Sequence, residues 1–226
     1  MSDTFRVSLV CCDLAGTIVS DRSILERAFA EAIATQGVVP GTAAYARSMV
    51  LVDRSGGLPP RDVMHALFAE NDAQAQAAYL SFERSYRAVL ERLGAWPVPG
   101  VLDVISKLSG SHIKVCFISG FSRSMSRLVL ERLGISRLAD LTLCLDDAPR
   151  GCPWPDVVLT AVIRLGIGDV AEVAVAGDSE SVVTAGRRAG ARTLIGVTGG
   201  RSPQRLRSAG ATHLIGSITE LPGLLL

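Results

Sequence analysis

Short apolar runs, each ending in a polar loop and separated by helical stretches, constrain this chain more than any other feature. A first strand is expected from Phe5 to Cys12. From Val98 onward, strands follow at about 113–118, 141–145, 172–176, 191–197 and 212–215. Helical stretches at about 100–108, 122–133, 154–165 and 181–189 lie between them, with a short one after 200. Apolar runs of this length, bounded by turn residues, read as buried strands. Strands alternating with helices build βαβ units, hence an α/β fold with a parallel sheet and right-handed crossovers. Ligands of such sheets bind outside the carboxyl ends of the strands. The loops at those ends begin with Asp13, Ser119, Asp146 and Asp178. Four strands therefore bring acids, a hydroxyl and loop N–H groups to one rim.

Asp13 is the residue on which chemistry is expected. It closes the run Leu9-Val10-Cys11-Cys12 and opens the loop Asp13-Leu14-Ala15-Gly16-Thr17. Gly16 allows a tight backbone and Thr17 supplies a hydroxyl. A carboxylate at the end of a buried strand can serve as nucleophile, as metal ligand, or as both, and a turn or capping role is the rival reading. For Asp178 and Ser179 the rival reading is likewise a helix cap, and for Ser119 too, although Ser122 already offers one.

A block without strand signal separates the first strand from the rest. Helical spacing dominates from Ser23 to Leu93, interrupted at Gly37, at Pro40-Gly41 and at Asp53–Gly57. Pro59-Pro60 opens one helix, and Asn71 or Asp72 caps a long one ended by Gly94 and Pro97. The expected division is a core of 1–19 with 98–226 and a four-helix insertion of 20–97, placed over the rim as a lid.

Composition removes several function classes. The chain has 226 residues, 48% of them hydrophobic, and a formal charge of +1 without a dense basic cluster. That argues against nucleic acid or an anionic membrane as a main partner. Apolar runs stop well short of the ~20 residues a membrane span needs. No secretory pattern precedes the first strand, so a cytoplasmic location is expected. Of five cysteines, Cys11, Cys12, Cys116 and Cys144 lie in or beside apolar runs and read as small buried hydrophobes. Cys152 lies in a loop. The only lysines are Lys107 and Lys114.

With these residues in view, the chain resembles the haloacid dehalogenase (HAD) superfamily of phosphoryl-transfer enzymes over nearly its whole length. The resemblance rests on the D-x-x-G-T loop at Asp13, the strand ending in Ser119, the G-D-S at Gly177–Ser179, and the helical insertion after the first motif. Within it, the chain is most similar to the phosphonatase (phosphonoacetaldehyde hydrolase) branch. The loop reads D-L-A-G-T, with Ala15 where the superfamily's phosphatases carry a second aspartate. Ser119-Gly120-Phe121-Ser122-Arg123 is similar to the branch's T-G-Y-T-R. Asp146-Asp147-Ala148-Pro149 followed by Gly151-Cys152-Pro153-Trp154-Pro155 is similar to D-D-x-P-x-G-R-P-x-P. Gly210–His213 and Ile218–Pro222 also resemble superfamily segments.

The resemblance implies a Rossmann-like core with an inserted helical cap. It implies that Asp13 attacks phosphorus, and that Mg²⁺ is held by Asp13, Asp178 and the Ala15 carbonyl. It implies that Ser119 and loop N–H groups hold the phosphoryl oxygens, with Ala15, Thr17 and Arg150 at the catalytic centre and Gly16, Gly120, Arg123, Met49 and Cys152 lining the substrate site. Met49 fits the branch's cap methionine. The implied substrate is a small organophosphonate or phosphate ester. Phosphonatases pair through their caps, which leaves a homodimer open, although Tyr45, Phe68, Tyr79, Phe82 and Tyr86 read as bundle core.

Four positions depart from the pattern. Ala15 cannot protonate a leaving oxygen, a loss of typically ~10²–10⁴-fold for ester hydrolysis. The insertion holds no lysine for a Schiff base; Asp53 or Pro60 falls at that position, depending on the counting, and Arg61 stays protonated. Cys152 replaces an arginine that steadies nucleophile and phosphoryl group; Arg150 or Arg123 is the candidate substitute. Val182 stands where a carboxylate is expected, four residues after Asp178. The alternative reading is therefore a catalytically degraded relative that binds a small anion or a protein partner. L-2-haloacid dehalogenase chemistry fits the loop and insertion less well.

Overall fold

The computed structural model describes residues 6–199 and 202–226. Phe5 and Gly200, which the sequence assigns to the first strand and to the loop after the strand at 191–197, lie outside the described residues. The first half of the chain contains β1 (Leu9–Asp13), β2 (Val19–Ser20), α1 (Arg22–Thr35), α2 (Ala43–Arg54), α3 (Pro60–Leu67), α4 (Asp72–Leu93) and β3 (Trp96–Pro97). The second half contains α5 (Val101–Gly110), β4 (Lys114–Ile118), α6 (Arg123–Arg132), β5 (Leu141–Leu143), α7 (Asp156–Leu165) and β6 (Val173–Gly177). It ends with α8 (Glu180–Ala189), β7 (Thr193–Val197), α9 (Pro203–Ala209), β8 (His213–Ile215) and α10 (Leu221–Leu225). Short 3₁₀ turns cover Leu145–Asp147, Val170–Glu172 and Ile218–Glu220. No described helix is long and apolar enough to cross a membrane.

Six strands form one parallel sheet in the order β5-β4-β1-β6-β7-β8. The chain steps outward from β1 through β4 to β5, then returns to the other flank of β1 for β6, β7 and β8. The strand order thus reverses at β1, the place where open α/β sheets bind ligands. All five residues of β1 are buried. Successive strand residues face opposite sides, so Leu9, Cys11 and Asp13 share one face. Leu9 and Cys11 pack there with Cys116, Ile118, Val173, Val175, Val182 and Cys152. Asp13 is the polar end of an apolar row.

One strand is shorter than its apolar run suggests. Expected to reach Leu145, β5 stops at Leu143. The carboxylate of Asp147 turns back to accept the Cys144 N–H at 2.9 Å, which closes a 3₁₀ turn in place of further ladder.

The chain forms two compact units, Met1–Ser20 with Pro97–Leu226, and Asp21–Trp96. The second is all-helical between its ends. In it α1 offers Ile24, Ala28 and Ala32 at helical spacing, and α4 answers with Ala75, Ala78, Tyr79, Phe82, Tyr86 and Val89. The Phe29 and Phe82 rings lie 4.6 Å apart, centroid to centroid. Tyr79, Phe82 and Tyr86 are thus bundle core, while Tyr45 and Phe68 are half-buried. Asn71, not Asp72, caps α4, its side chain accepting the Gln74 N–H at 3.0 Å.

Buried at the start of this bundle, Asp21 accepts a 2.6 Å hydrogen bond from the Tyr86 hydroxyl. Both residues are nearly free of solvent, so the carboxylate depends on protein donors. Tyr86→Phe should lower stability by about 1–3 kcal/mol, the cost of removing a donor from a buried acceptor. Urea unfolding followed by far-UV dichroism measures it; an unchanged midpoint would show the bond to be dispensable.

Candidate active site

Asp13 ends β1, and its side chain meets the hydroxyl of Ser179. Ser179 Oγ donates to Asp13 Oδ2 at 3.1 Å and accepts the Val182 N–H at 3.3 Å. Ser179 is therefore the cap of α8 and a partner of Asp13 at once. Sequence reading saw the cap and not the second bond. That bond depends on β6 lying beside β1, which helix-cap signals do not carry.

The loop after Asp13 is fixed by its own backbone. Leu14 N–H donates to the Ile118 carbonyl at 2.8 Å, Gly16 N–H to Val19 at 2.9 Å, and Val19 N–H to Leu14 at 2.9 Å. Ala15 bridges to Val19. Gly16 sits at φ +75°, and a Cβ built on it would lie 2.5–2.9 Å from the carboxylate atoms of Asp178. The loop therefore needs glycine on two counts, backbone angle and room for Asp178. Thr17 is buried, and its hydroxyl accepts the Asp178 N–H at 3.0 Å. Gly177 plays the matching part on β6: a Cβ there would meet Asp13 Cβ and Val182 Cγ1 at 3.0 Å. Asp13, Gly16, Thr17 and Asp178 are thus brought into one small volume.

Ser119 belongs to the neighbouring strand end. It is buried, and its hydroxyl accepts from Ser126 Oγ at 2.9 Å and from the Phe121 N–H at 3.2 Å, across Gly120. Ser122 caps α6 through the Met125 N–H at 3.4 Å, so capping does not account for Ser119. Asp146 lies at the same rim, but its carboxylate is used within the rim, accepting the Arg123 N–H at 2.8 Å.

The two arginines expected to stand in for the missing cation are engaged elsewhere. Arg123 Nη2 donates to Asp147 Oδ1 at 3.0 Å. Arg150 holds Asp156 with two hydrogen bonds, at 3.1 and 2.9 Å, and its guanidinium lies 4.4 Å over the Trp154 ring. Arg188 lies over the same ring at 4.8 Å and donates to the Pro153 carbonyl at 2.9 Å. Arg150 and Arg123, the candidates for the lost charge, thus each hold a carboxylate of their own, Asp156 and Asp147. A bidentate carboxylate and an aromatic face satisfy a planar guanidinium where it stands.

Cys152, though in a loop, is buried in the same apolar cluster as Cys11 and Cys116. Burial pushes its thiol pKa well up, and the nearby charge of Asp13 pushes it further. Its proton therefore stays on through the physiological range. Cys11 and Cys12 are pushed up as well, Cys11 chiefly by its bond to Cys116 and Cys12 chiefly by burial. Val182 is buried beside Gly177 and presents methyl groups where a carboxylate was expected. Met49 lies half-buried on α2, within the helical unit.

The haloacid dehalogenase-like hydrolase family model matches residues 7–190, which takes in every strand-end residue of this site. The chain belongs to the haloacid dehalogenase-like hydrolases. It is 32% identical over 170 residues to a phosphonoacetaldehyde hydrolase of Bordetella pertussis, covering 64% of this chain and 62% of that one. It is 38% identical over 98 residues to a phosphonoacetaldehyde hydrolase of Pseudomonas fluorescens, 43% of this chain and 36% of that one. The matched stretches thus span less than two thirds of these relatives. Among solved structures, a phosphonoacetaldehyde hydrolase-like protein from Oleispira antarctica superposes with a TM-score of 0.81 at 20% identity, over 97% of this chain and 91% of that one. A hydrolase from Pseudomonas syringae gives 0.83 at 23%, over 96% and 97%. Both share the fold of this HAD-like hydrolase.

Two outcomes follow from the geometry. Gly16→Ala should cost about 1–2 kcal/mol for the left-handed backbone alone and should displace Asp178, so chemical denaturation and site function should suffer together; a neutral result would contradict the loop as described. The second concerns Asp147, whose side chain is 3% exposed. Burial works against its charge, but bonds from Cys144 and Arg123 outweigh it and hold the carboxyl down from 3.8 to about 2. A depressed folded pKa adds stability above the unfolded value, and that stability is lost as pH falls through the folded one. The stability gap between wild type and Asp147→Asn should therefore be full above about pH 4 and close towards pH 2; a gap constant across that window would remove the carboxylate from the account.

Proposed function

We propose that this HAD-like hydrolase is of the phosphonatase-like type, cleaving a small organophosphonate or phosphate ester by attack of Asp13 on phosphorus. One observation carries the reading. The buried carboxylate at the switch point of the sheet is held by Ser179, beside a glycine loop whose only room is taken by a second carboxylate, Asp178. A turn or capping aspartate has no use for that arrangement.

The donor set fits Mg²⁺. Asp13, Asp178 and the Ala15 carbonyl offer oxygen ligands, and this cation commonly takes one or two carboxylates and keeps several waters. When bound, Mg²⁺ lets an anionic nucleophile meet an anionic phosphoryl group. The chain's own groups do the rest. Ser179 holds one oxygen of Asp13, Thr17 fixes the Asp178 backbone, and Ser119 with loop N–H groups other than that of Gly16, which the Val19 carbonyl takes, receives phosphoryl oxygens. Ala15 gives no proton to the leaving group, so the substrate must carry a good leaving group or its own proton.

Schiff-base activation is not part of this reading. The insertion contains no lysine. Lys107 is on α5, and Lys114 opens β4 opposite Leu9, at the amino end of the strands, with its ammonium on the Leu165 carbonyl at 2.8 Å. The alternative, a degraded relative that binds a small anion or a protein, draws support from the neutral Cys152 thiol, the apolar Val182 and the engaged Arg150.

The test incubates the purified chain with Mg²⁺ and a panel of phosphate esters and phosphonates. Turnover is expected for members with good leaving groups, and Asp13→Asn should abolish it. Activity that survives Asp13→Asn would sink the nucleophile assignment, and absence of turnover with no Mg²⁺- and beryllofluoride-dependent thermal shift would favour the binding protein. Borohydride with phosphonoacetaldehyde should leave the chain unmodified.

A further inference from the structure

The Asp147 carboxylate collects more bonds than its turn requires. Cys144 N–H and Cys144 Sγ both donate to Oδ2 at 2.9 Å, which suffices to close the 3₁₀ turn. Oδ1 then receives two arginines from different helices, Arg123 Nη2 at 3.0 Å and Arg164 Nη1 at 3.2 Å. Arg123 is the first residue of α6, and its backbone N–H is taken by Asp146 at 2.8 Å. Leu145 N–H bonds the Phe121 carbonyl at 2.9 Å. The turn at 145–147 therefore grips the segment 119–123 at three points: one main-chain bond, one side-chain cap and one ion pair. One turn into α6, Ser126 donates to Ser119 Oγ at 2.9 Å, with both residues buried.

We propose that Asp147 is a positioning residue for Ser119: through Arg123 it sets the start of α6, and through Ser126 it sets where the Ser119 hydroxyl lies. A helix behaves as a rigid body over one turn, so a shift at Arg123 is carried to Ser126. Charge-assisted bonds to a solvent-poor carboxylate resist such a shift better than the neutral bonds of the loop. Arg164 supplies a built-in comparison. It shares the same carboxylate oxygen but belongs to α7 and leads nowhere near Ser119 in the bonding sequence. The significance for phosphoryl binding rests on the role given to Ser119 above; the mechanical coupling does not.

The experiment uses the full chain and three variants, Asp147→Asn, Arg123→Gln and Arg164→Gln. Native-state amide exchange without ligand should rise about tenfold or more at 119–122 in the first two, a local opening, and stay at the wild-type rate in the third. Mg²⁺-dependent binding of inorganic phosphate should weaken in the same two variants and be retained in Arg164→Gln. An ion pair that merely adds stability would lower the melting temperature of both arginine variants alike and leave 119–122 no more open in one than in the other; that result overturns the proposal. Should Asp147→Asn fail to fold, Arg123→Gln, an exposed change, still decides. If wild type takes up no phosphate with Mg²⁺, the phosphoryl reading fails, while the exchange comparison continues to judge the coupling.

Discussion

A carboxylate that closes a fully buried strand is the constraint on which the rest of the structure depends. Leu9 to Cys12 are sealed in the sheet and Asp13 shares their burial. A charge so placed is expensive unless donors or a counter-ion meet it. The end of β6 and the loop after β1 shape the surroundings of that charge. From β6 come the Ser179 hydroxyl and the side-chain-free Gly177, which leaves space for Asp13. From the loop itself comes Gly16, at an angle that clears the carboxylate of Asp178. The strand order then places these groups at β1, where the order of strands reverses and where open α/β sheets bind ligands.

Much of this was legible in the sequence, and the reason is physical. Parallel strands buried on both faces must be apolar runs, and such runs stand out against the helices between them. Strand-end residues are simply the first polar residues after each run, so Asp13, Ser119 and Asp178 could be named without coordinates. Helix caps were equally local: Asn71, Ser122 and Ser179 lie at the positions where capping chemistry puts them. The Leu141–Leu145 run failed for a local reason of another kind, since a carboxylate three residues on competed for the Cys144 N–H and won.

What the sequence hid were choices between equivalent partners. Arg150 has several acids near it in the chain and Arg123 has none within seven residues, and nothing in spacing says that Asp156 and Asp147 take them. The Arg164–Asp147 pair spans 17 residues and two elements. Ser179 towards Asp13 spans 166 and depends on sheet order. Loop membership misled for Cys152 as well. A cysteine is small and apolar enough to fill a core gap from a loop, and here it does so directly under the strand that carries Asp13.

That substitution redistributes the electrostatic work of the site. An arginine in place of Cys152 would bring a permanent positive charge into contact range of Asp13. The buried thiol brings none, because burial and the Asp13 charge both raise its pKa and keep it neutral. In exchange, the thiol joins Cys11, Cys116 and Val182 in one dry cluster beneath the rim. Val182 makes the same trade, giving methyl groups to that cluster at the place where the family resemblance implies an acid. Both changes move the lower wall of the site towards packing and away from charge. Under the proposed function, neutralisation of a phosphoryl group would then be left to a divalent cation on Asp13 and Asp178, and to hydroxyl and N–H dipoles that must be well placed because they are weak. Under that condition the rigidity of the Ser119 segment matters more than it would beside an arginine. It fits that the segment is tied down by a carboxylate held ionised well below its ordinary range.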